Sequence, residues 1–371
     1  MRGRRDPQDV MFVVMDLESI VPDDHPLRAI KARADEEMRR LAPHFRAAYA
    51  KTGRPSIPPE RLIKATLLQA LFSIRSERQL SEQIGYNMLF RWFLDMRLDE
   101  PVWNHSTFAK NRERFAEHGL MRRFFEGSVA RAIRAEATSD DHFSVDGTLI
   151  EAWASMKSFR PRDEGDDDDD RPRGGRNGWK DFRGERRSNR THVSRTDPEA
   201  MLARKGDGQT SVLAHSMHVL MENRSGLIMD VRVAAADGHA EREQALAMVR
   251  SVRRRHGLRP KTLGMDKGYW DGPFLARLED DLEVVPHVAV PSGPIRATDA
   301  GGQARLRAKE RQGTVAHRIS QIIRRRIEAE LGWLKQIGCL AKTRFVGRWK
   351  TQMYAYAAGA AYNFLRLGHV T

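Results

Sequence analysis

Phe143-Ser144-Val145-Asp146-Gly147-Thr148 is the stretch on which the reading of this chain turns. Apolar and polar residues alternate into an aspartate, and a glycine follows at once. That pattern is a short strand ending on a carboxylate. Open α/β sheets keep their chemistry at the carboxyl ends of strands. Aspartates also follow strands merely as turn residues. The meaning of Asp146 therefore depends on what the rest of the chain brings to it.

The bounds come from length and composition. With 371 residues there is room for two domains, or for one large domain with an appendage. Hydrophobic residues make up 40% of the chain, enough for a sizeable core. Lys and Arg number 64 against 50 Asp and Glu, a net charge of +14. Such an excess points to a polyanionic partner, nucleic acid first of all. A single cysteine, Cys339, excludes an internal disulfide and a multi-cysteine zinc site, and fits a reducing cytoplasm. No apolar run approaches the ~18–20 residues of a membrane span. The run Met11 to Met15 is too short for a signal sequence.

Upstream of the opening strand, residues 1–138 read as an all-α, helix-turn-helix-like DNA-binding domain. Leu27, Ile30, Ala34 and Met38 recur at helical spacing. Pro55, Pro58 and Pro59 break that helix and favour a new start near Glu60. The next segment is apolar nearly all round, which predicts a buried helix. Ser76, with Gln79 three residues on, has the form of a capping box. Gly85 makes a turn, and Asn87 caps a second helix through Met96 that carries Arg91. Helix, glycine turn and helix is the outline of a DNA-reading unit, and equally of a packed hairpin. Ser106-Thr107 then caps a basic helix with Lys110, Arg112 and Arg114.

Downstream, residues 139–371 alternate strands and helices. Strands are predicted over 211–221 and 227–235, joined as a hairpin, over 261–265 ending on Asp266, and over 282–290. A helix is predicted over 239–256, stopped by Gly257 and Pro260. About 157–208 contains five consecutive aspartates and then an Arg/Gly/Asn-rich run, a composition that predicts a largely disordered insertion. About 291–315 reads as a loop, 316–337 as one long helix, and 350–367 as a last helix apolar enough to pack.

Three carboxylates stand out: Asp146 and Asp266 at strand ends, and Glu328 on the long late helix. Phosphodiester chemistry uses hard oxygen ligands for Mg²⁺, and two ions ~4 Å apart activate the attacking oxygen and stabilise the leaving one. At ~100° per residue, Arg324 and Lys335 fall within about 40° of Glu328. Glu330 falls about 200° away, toward the apolar stripe of Ile319, Ile323, Ile327, Leu331 and Leu334. A line of Arg, Glu and Lys suits phosphates beside metals, and also suits an ordinary solvated face. Lys267, next to Asp266, is a further phosphate candidate. His215, His218 and His239 lack the cysteines or helical histidine pair of a zinc site.

Taken together, these motifs resemble the DDE transposases of bacterial insertion sequences, and most closely the insertion-sequence-five family. The residues that carry the resemblance are Asp146 in Ser-Val-Asp-Gly-Thr, Asp266 in Asp-Lys-Gly-Tyr, and the run from Arg324 through Glu328 to Lys335. Gly53-Arg-Pro-Ser56, Asn104-His-Ser-Thr-Phe108 and Thr196-Asp-Pro-Glu-Ala200 extend it over roughly residues 10–368. Where the related motif often has a tyrosine three residues before the arginine, this chain has Gln321. The resemblance implies a ribonuclease H-like α/β catalytic domain, a mixed sheet flanked by helices. It implies Asp146, Asp266 and Glu328 as catalytic metal ligands, two Mg²⁺ with Mn²⁺ as a substitute, and DNA contacts from Arg324 and Lys335. It further implies action on transposon ends and target DNA in the bacterial cytoplasm, at the nucleoid, as a homodimer on DNA. The alternatives are a metal-dependent nuclease of the same fold, a catalytically inactive sequence-specific DNA-binding protein, and a nucleic-acid-packaging protein.

Overall fold

The structure is a computed structural model and describes residues 15–50, 52–53, 55–162, 187–206, 208–295 and 297–370. Its N-terminal part is helical: α1 (Leu17–Ile20), α2 (Pro26–Ala48), α3 (Pro59–Leu71), α4 (Glu77–Tyr86), α5 (Met88–Phe93), α6 (Ser106–Glu117) and α7 (Leu120–Arg134). The prolines at the starts of α2 and α3 supply a fixed φ where no amide donor is needed. The predicted caps act as such. Ser76 accepts from the Gln79 amide at 3.0 Å, and Asn87 from the Phe90 amide at 3.3 Å. At α6 the cap falls instead to Asn104, whose Oδ1 accepts from the Ser106 amide at 2.9 Å. Ser106 itself already lies inside that helix.

The C-terminal part follows as β1 (His142–Glu151), β2 (Phe159–Pro161), β3 (His192–Ser194), β4 (Met201–Ala203), β5 (Val212–Glu222), β6 (Leu227–Ala235), α8 (Ala240–His256), β7 (Thr262–Met265), α9 (Gly272–Ala276), β8 (Val285–Val288), α10 (Ala300–Arg311), α11 (Val315–Ile323), α12 (Arg326–Gln336) and α13 (Arg348–Val370). β1 is the centre of the sheet. On one side it pairs antiparallel with β5 over its length, and β5 pairs antiparallel with β6 through the expected hairpin. On the other side it pairs parallel with β7, and β7 parallel with β8. Parallel neighbours need a crossover, which α8 supplies between β6 and β7. The order β6-β5-β1-β7-β8, an antiparallel trio beside parallel strands, is the ribonuclease H-like arrangement.

Four expectations need correction. Asp146 does not end its strand: β1 continues to Glu151, because β5 keeps pairing with it as far as Glu151 opposite Ala214. What ends is the partnership with β7, at Ser144 opposite Gly264. The stretch 157–208 is not uniformly without structure. Phe159–Pro161 pairs with His192–Ser194, and Met201–Ala203 joins the main sheet along β5. Residues 163–186, which include the aspartate run, lie outside the described residues. The predicted loop 291–315 contains α10, whose Gly301 lies against Gly272 so closely that a Cβ on Gly272 would sit 2.8 Å from the Gly301 backbone. The glycines that read as loop are there for close approach. The long helix is two, α11 and α12, parted at Arg324-Arg325.

One hydrophobic core runs through both parts. The joint is α13, which packs against α2, α3 and α7 on the helical side and against β6 on the sheet. Phe364 meets Phe124 edge-on at 5.6 Å. Asn363 donates to Ile228 O and to Ser128 Oγ, and accepts from the Ile228 amide.

Candidate active site

Because β7 leaves β1 after Ser144, the next residues of β1 have one open edge. Asp146 stands two residues beyond that point, and Asp266 follows directly on the end of β7. The two aspartates thus face a common gap. Glu328 approaches from the first turn of α12. All three line one pocket of about 990 Å³, together with Glu241 from the first turn of α8 and Asp237 just before it. Lys335 lines the same pocket and donates to Thr148 Oγ1 at 3.2 Å. The Arg324 guanidinium lies 4.0 Å from Asp146 Oδ2.

Each aspartate is held by the backbone next to it. Asp146 Oδ1 accepts from the Gly147 amide at 2.8 Å, and Asp266 Oδ1 from the Gly268 amide at 2.8 Å. Gly147 is a glycine of necessity, since a Cβ there would stand 2.9 Å from the buried His218 Nδ1. Burial pushes the Asp146 carboxyl up to about 6. The Gly147 hydrogen bond and Arg324 oppose this, while the neighbouring carboxylates of Asp266 and Glu241 reinforce it. Burial likewise raises Glu241, with Asp266 adding to it. Tyr269 is buried near Glu241, Asp146 and Asp266, and its hydroxyl has no partner among the described residues.

The neighbour of Glu328 on the same helix is placed differently. Glu330 is 2% exposed and turned into the core beside Arg366 and Tyr362, where burial drives its carboxyl well above the usual range. Of the other sequence candidates, Lys267 and Lys110 are exposed. Arg112 is engaged with Glu77 and lies 4.6 Å over the Phe345 ring. Arg91 must be struck from the DNA-facing set. It is 6% exposed, and its guanidinium donates to the carbonyls of Gly85, Arg97 and Glu100. α5 is only six residues long and four of them are buried, so most of it is spent on packing.

Glu241 is the residue that sequence reasoning passed over. An acid in the first turn of a helix reads as a partner of the helix dipole, so nothing local marks it. Its carboxylate oxygens come within 3.5 Å of where side chains on Gly147 and Gly268 would begin, beside both aspartates. The donor chemistry suits a hard divalent cation: oxygen ligands only, with excess negative charge that a cation would relieve. Among the described residues, however, no three acidic or histidine side chains are gathered closely enough to hold an ion as they stand. The residues fit such an ion in kind.

The sheet is ribonuclease H-like, acids surround its central strand, and the chain carries a charge of +14. Comparison with known families adds to this. The family described as Transposase DDE domain matches residues 179–364, and the one described as Transposase domain (DUF772) matches residues 15–114. This chain belongs to the DDE transposases, enzymes of phosphoryl transfer on DNA that depend on a divalent metal. Asp266 and Glu328 fall inside the matched DDE range, and Asp146 falls between the two ranges. Among solved structures, the chain is similar to "Mos1 transposase paired-end complex with left transposon end". Identity is 10% and the TM-score 0.21, over 82% of this chain and 87% of that one. It is also similar to "Crystal structure of the Mos1 Strand Transfer Complex", at 10% identity and TM-score 0.19 over 83% and 87%. No curated protein matches the chain.

Proposed function

We propose that this transposase belongs to the insertion-sequence-five branch, binds the terminal inverted repeats of its element, and cuts and joins DNA there with Asp146, Asp266 and Glu328. The observation that carries the reading is the meeting of these three acids in one pocket of a DDE-family chain. They would hold two Mg²⁺, with Mn²⁺ as a substitute, and the ions would supply Lewis-acid activation of the nucleophile and stabilisation of the leaving oxygen. The chain's own residues do the rest. The Gly147 and Gly268 amides hold the two aspartates in place. Arg324 and Lys335, one on each side of Glu328, neutralise phosphates entering the pocket. Lys267 and Lys110, both exposed, serve binding beside it and further out, while Arg112 is held by Glu77.

In the first step water attacks a phosphodiester at the element's end, and the P–O bond to the 3′ oxygen breaks, leaving a 3′-hydroxyl and a 5′-phosphate. In the second, that 3′-hydroxyl attacks a phosphodiester of the target, whose own 3′ oxygen leaves. Two ends handled together call for a homodimer on DNA, working in the bacterial cytoplasm at the nucleoid. Asp146→Asn, Asp266→Asn and Glu328→Gln are each expected to abolish Mg²⁺-dependent cleavage and joining of end-containing DNA while binding persists. Full activity in any one of them removes that residue from the site. A strand-transfer assay with precut ends separates a transposase from a nuclease, which would cut and never join.

A further inference from the structure

Part of the pocket is built by the segment whose composition predicts a largely disordered insertion. Besides the acids it is lined by Met201, Leu202, Ala203, Arg204 and Lys205. This arm is fixed in place. β4 pairs with Val212 to Ala214 of β5, and the Asn189 side chain bonds both the carbonyl and the amide of Leu202, at 3.0 and 2.7 Å. Its base is clamped to the start of α13. Asp197, fully buried, accepts from His215 Nε2 at 3.1 Å and from the Gly347 amide at 3.2 Å. Glu199 Oε1 accepts from Arg348 Nε and Nη2 at 3.0 and 2.8 Å, and its Oε2 from the Arg348 amide at 2.8 Å.

Lys205 emerges at the pocket end of this arm. It is exposed and has no ion pair among the described residues. It stands near enough to Lys335 for its charge, second to burial, to hold that ammonium below its usual range. Two like charges facing one cavity are unfavourable until an anion lies between them. Gly332 lies on the same α12 face as Glu328 and Lys335, and nothing approaches within 4 Å of where its side chain would start. That opening gives a backbone phosphate room beside the helix.

We propose that Lys205, carried on the arm between β1 and β5, closes on a DNA phosphate together with Lys335, so that the strand runs between a cationic wall and the carboxylates. The inserted arm is thereby a DNA-positioning element of the enzyme, with Lys205 as a positioning residue. This rests on the reading of the chain as a DNA-acting transposase.

The test is fluorescence anisotropy of a labelled random-sequence duplex with the full-length chain, over a series of KCl concentrations. Lys205→Ala is expected to lower the slope of log affinity against log salt by about one, the loss of one phosphate contact. Lys205→Arg keeps the slope. Lys261→Ala, an exposed lysine at the far end of β7, also keeps it. Combining Lys205→Ala with Lys335→Ala is expected to cost less than the two separately, because both act on one phosphate. A wild-type slope in Lys205→Ala, or an equal loss in Lys261→Ala, overturns the role of Lys205 and leaves the DNA reading intact. A wild-type chain whose DNA binding has no salt dependence overturns both.

Discussion

Asp146 carries an electrostatic cost that its surroundings make measurable. Burial, above all, pushes its carboxyl up to about 6 from the usual 3.8. A raised acid binds its proton more tightly in the folded chain than in the unfolded one. Its folding penalty is therefore absent below about pH 4 and complete above about pH 6, at roughly 3 kcal/mol. Without divalent metal, Asp146→Asn is expected to be more stable than wild type at pH 7, with the difference fading below pH 4. Urea unfolding across that range checks it, and equal stabilities at pH 7 would contradict it. Gly147 offers a steric counterpart. A methyl group there meets His218 at 2.9 Å, and His218 is buried, its imidazole pushed down to about 4 by that burial. Gly147→Ala is expected to cost about 1–3 kcal/mol, the usual range for overpacking. A loss of cleavage should accompany it as Asp146 shifts.

At the scale of elements, the arm between β1 and β5 stands on the Asp197 cluster. Burial alone would raise the Asp197 carboxyl, but hydrogen bonds from His215 and the Gly347 amide outweigh it and hold the group below its usual value. A depressed acid stabilises the fold above its unfolded pKa, and that contribution is lost as pH falls through the folded one. Asp197→Ala leaves a buried imidazole and a backbone amide without their acceptor. It is expected to destabilise the chain by about 3–5 kcal/mol, the range for breaking a buried pair. Hydrogen exchange should then rise first in β2, β3 and β4, and uniform protection across the sheet would rule out the clamp. The α11–α12 break belongs to this scale too. Helix arithmetic across an assumed single helix sets Arg324 and Lys335 beside Glu328, whereas the structure puts the Arg324 guanidinium 4.0 Å from Asp146 and the Lys335 ammonium on Thr148.

For the whole molecule the decisive element is α13, the last helix in the chain. It completes the packing of α2, α3 and α7 while covering β6, so the helical part does not own a separate core. A fragment of residues 1–138 is therefore expected to remain unfolded by circular dichroism. Adding residues 348–370 in trans should restore helical signal if the shared core is what it lacks. A well-folded 1–138 fragment would show that the helical part stands alone.

The sequence by itself determined what is local. Periodicity marked α2, α3, α8, β1, β5 and β6, side-chain caps placed α4 and α5, and three short motifs named the acids. It could not say which side chains end up inside. Arg91 looked like a DNA contact and is spent on three carbonyls, while the arm's polar composition hid strands whose partners lie elsewhere in the chain. α10 was missed because glycines chosen for close contact look like glycines of a loop. Glu241 and Lys205 carry no local signature at all. Only the tertiary structure sets them around Asp146, because the edge of β1 left open by β7 is a property of strand register, and register is settled between distant segments.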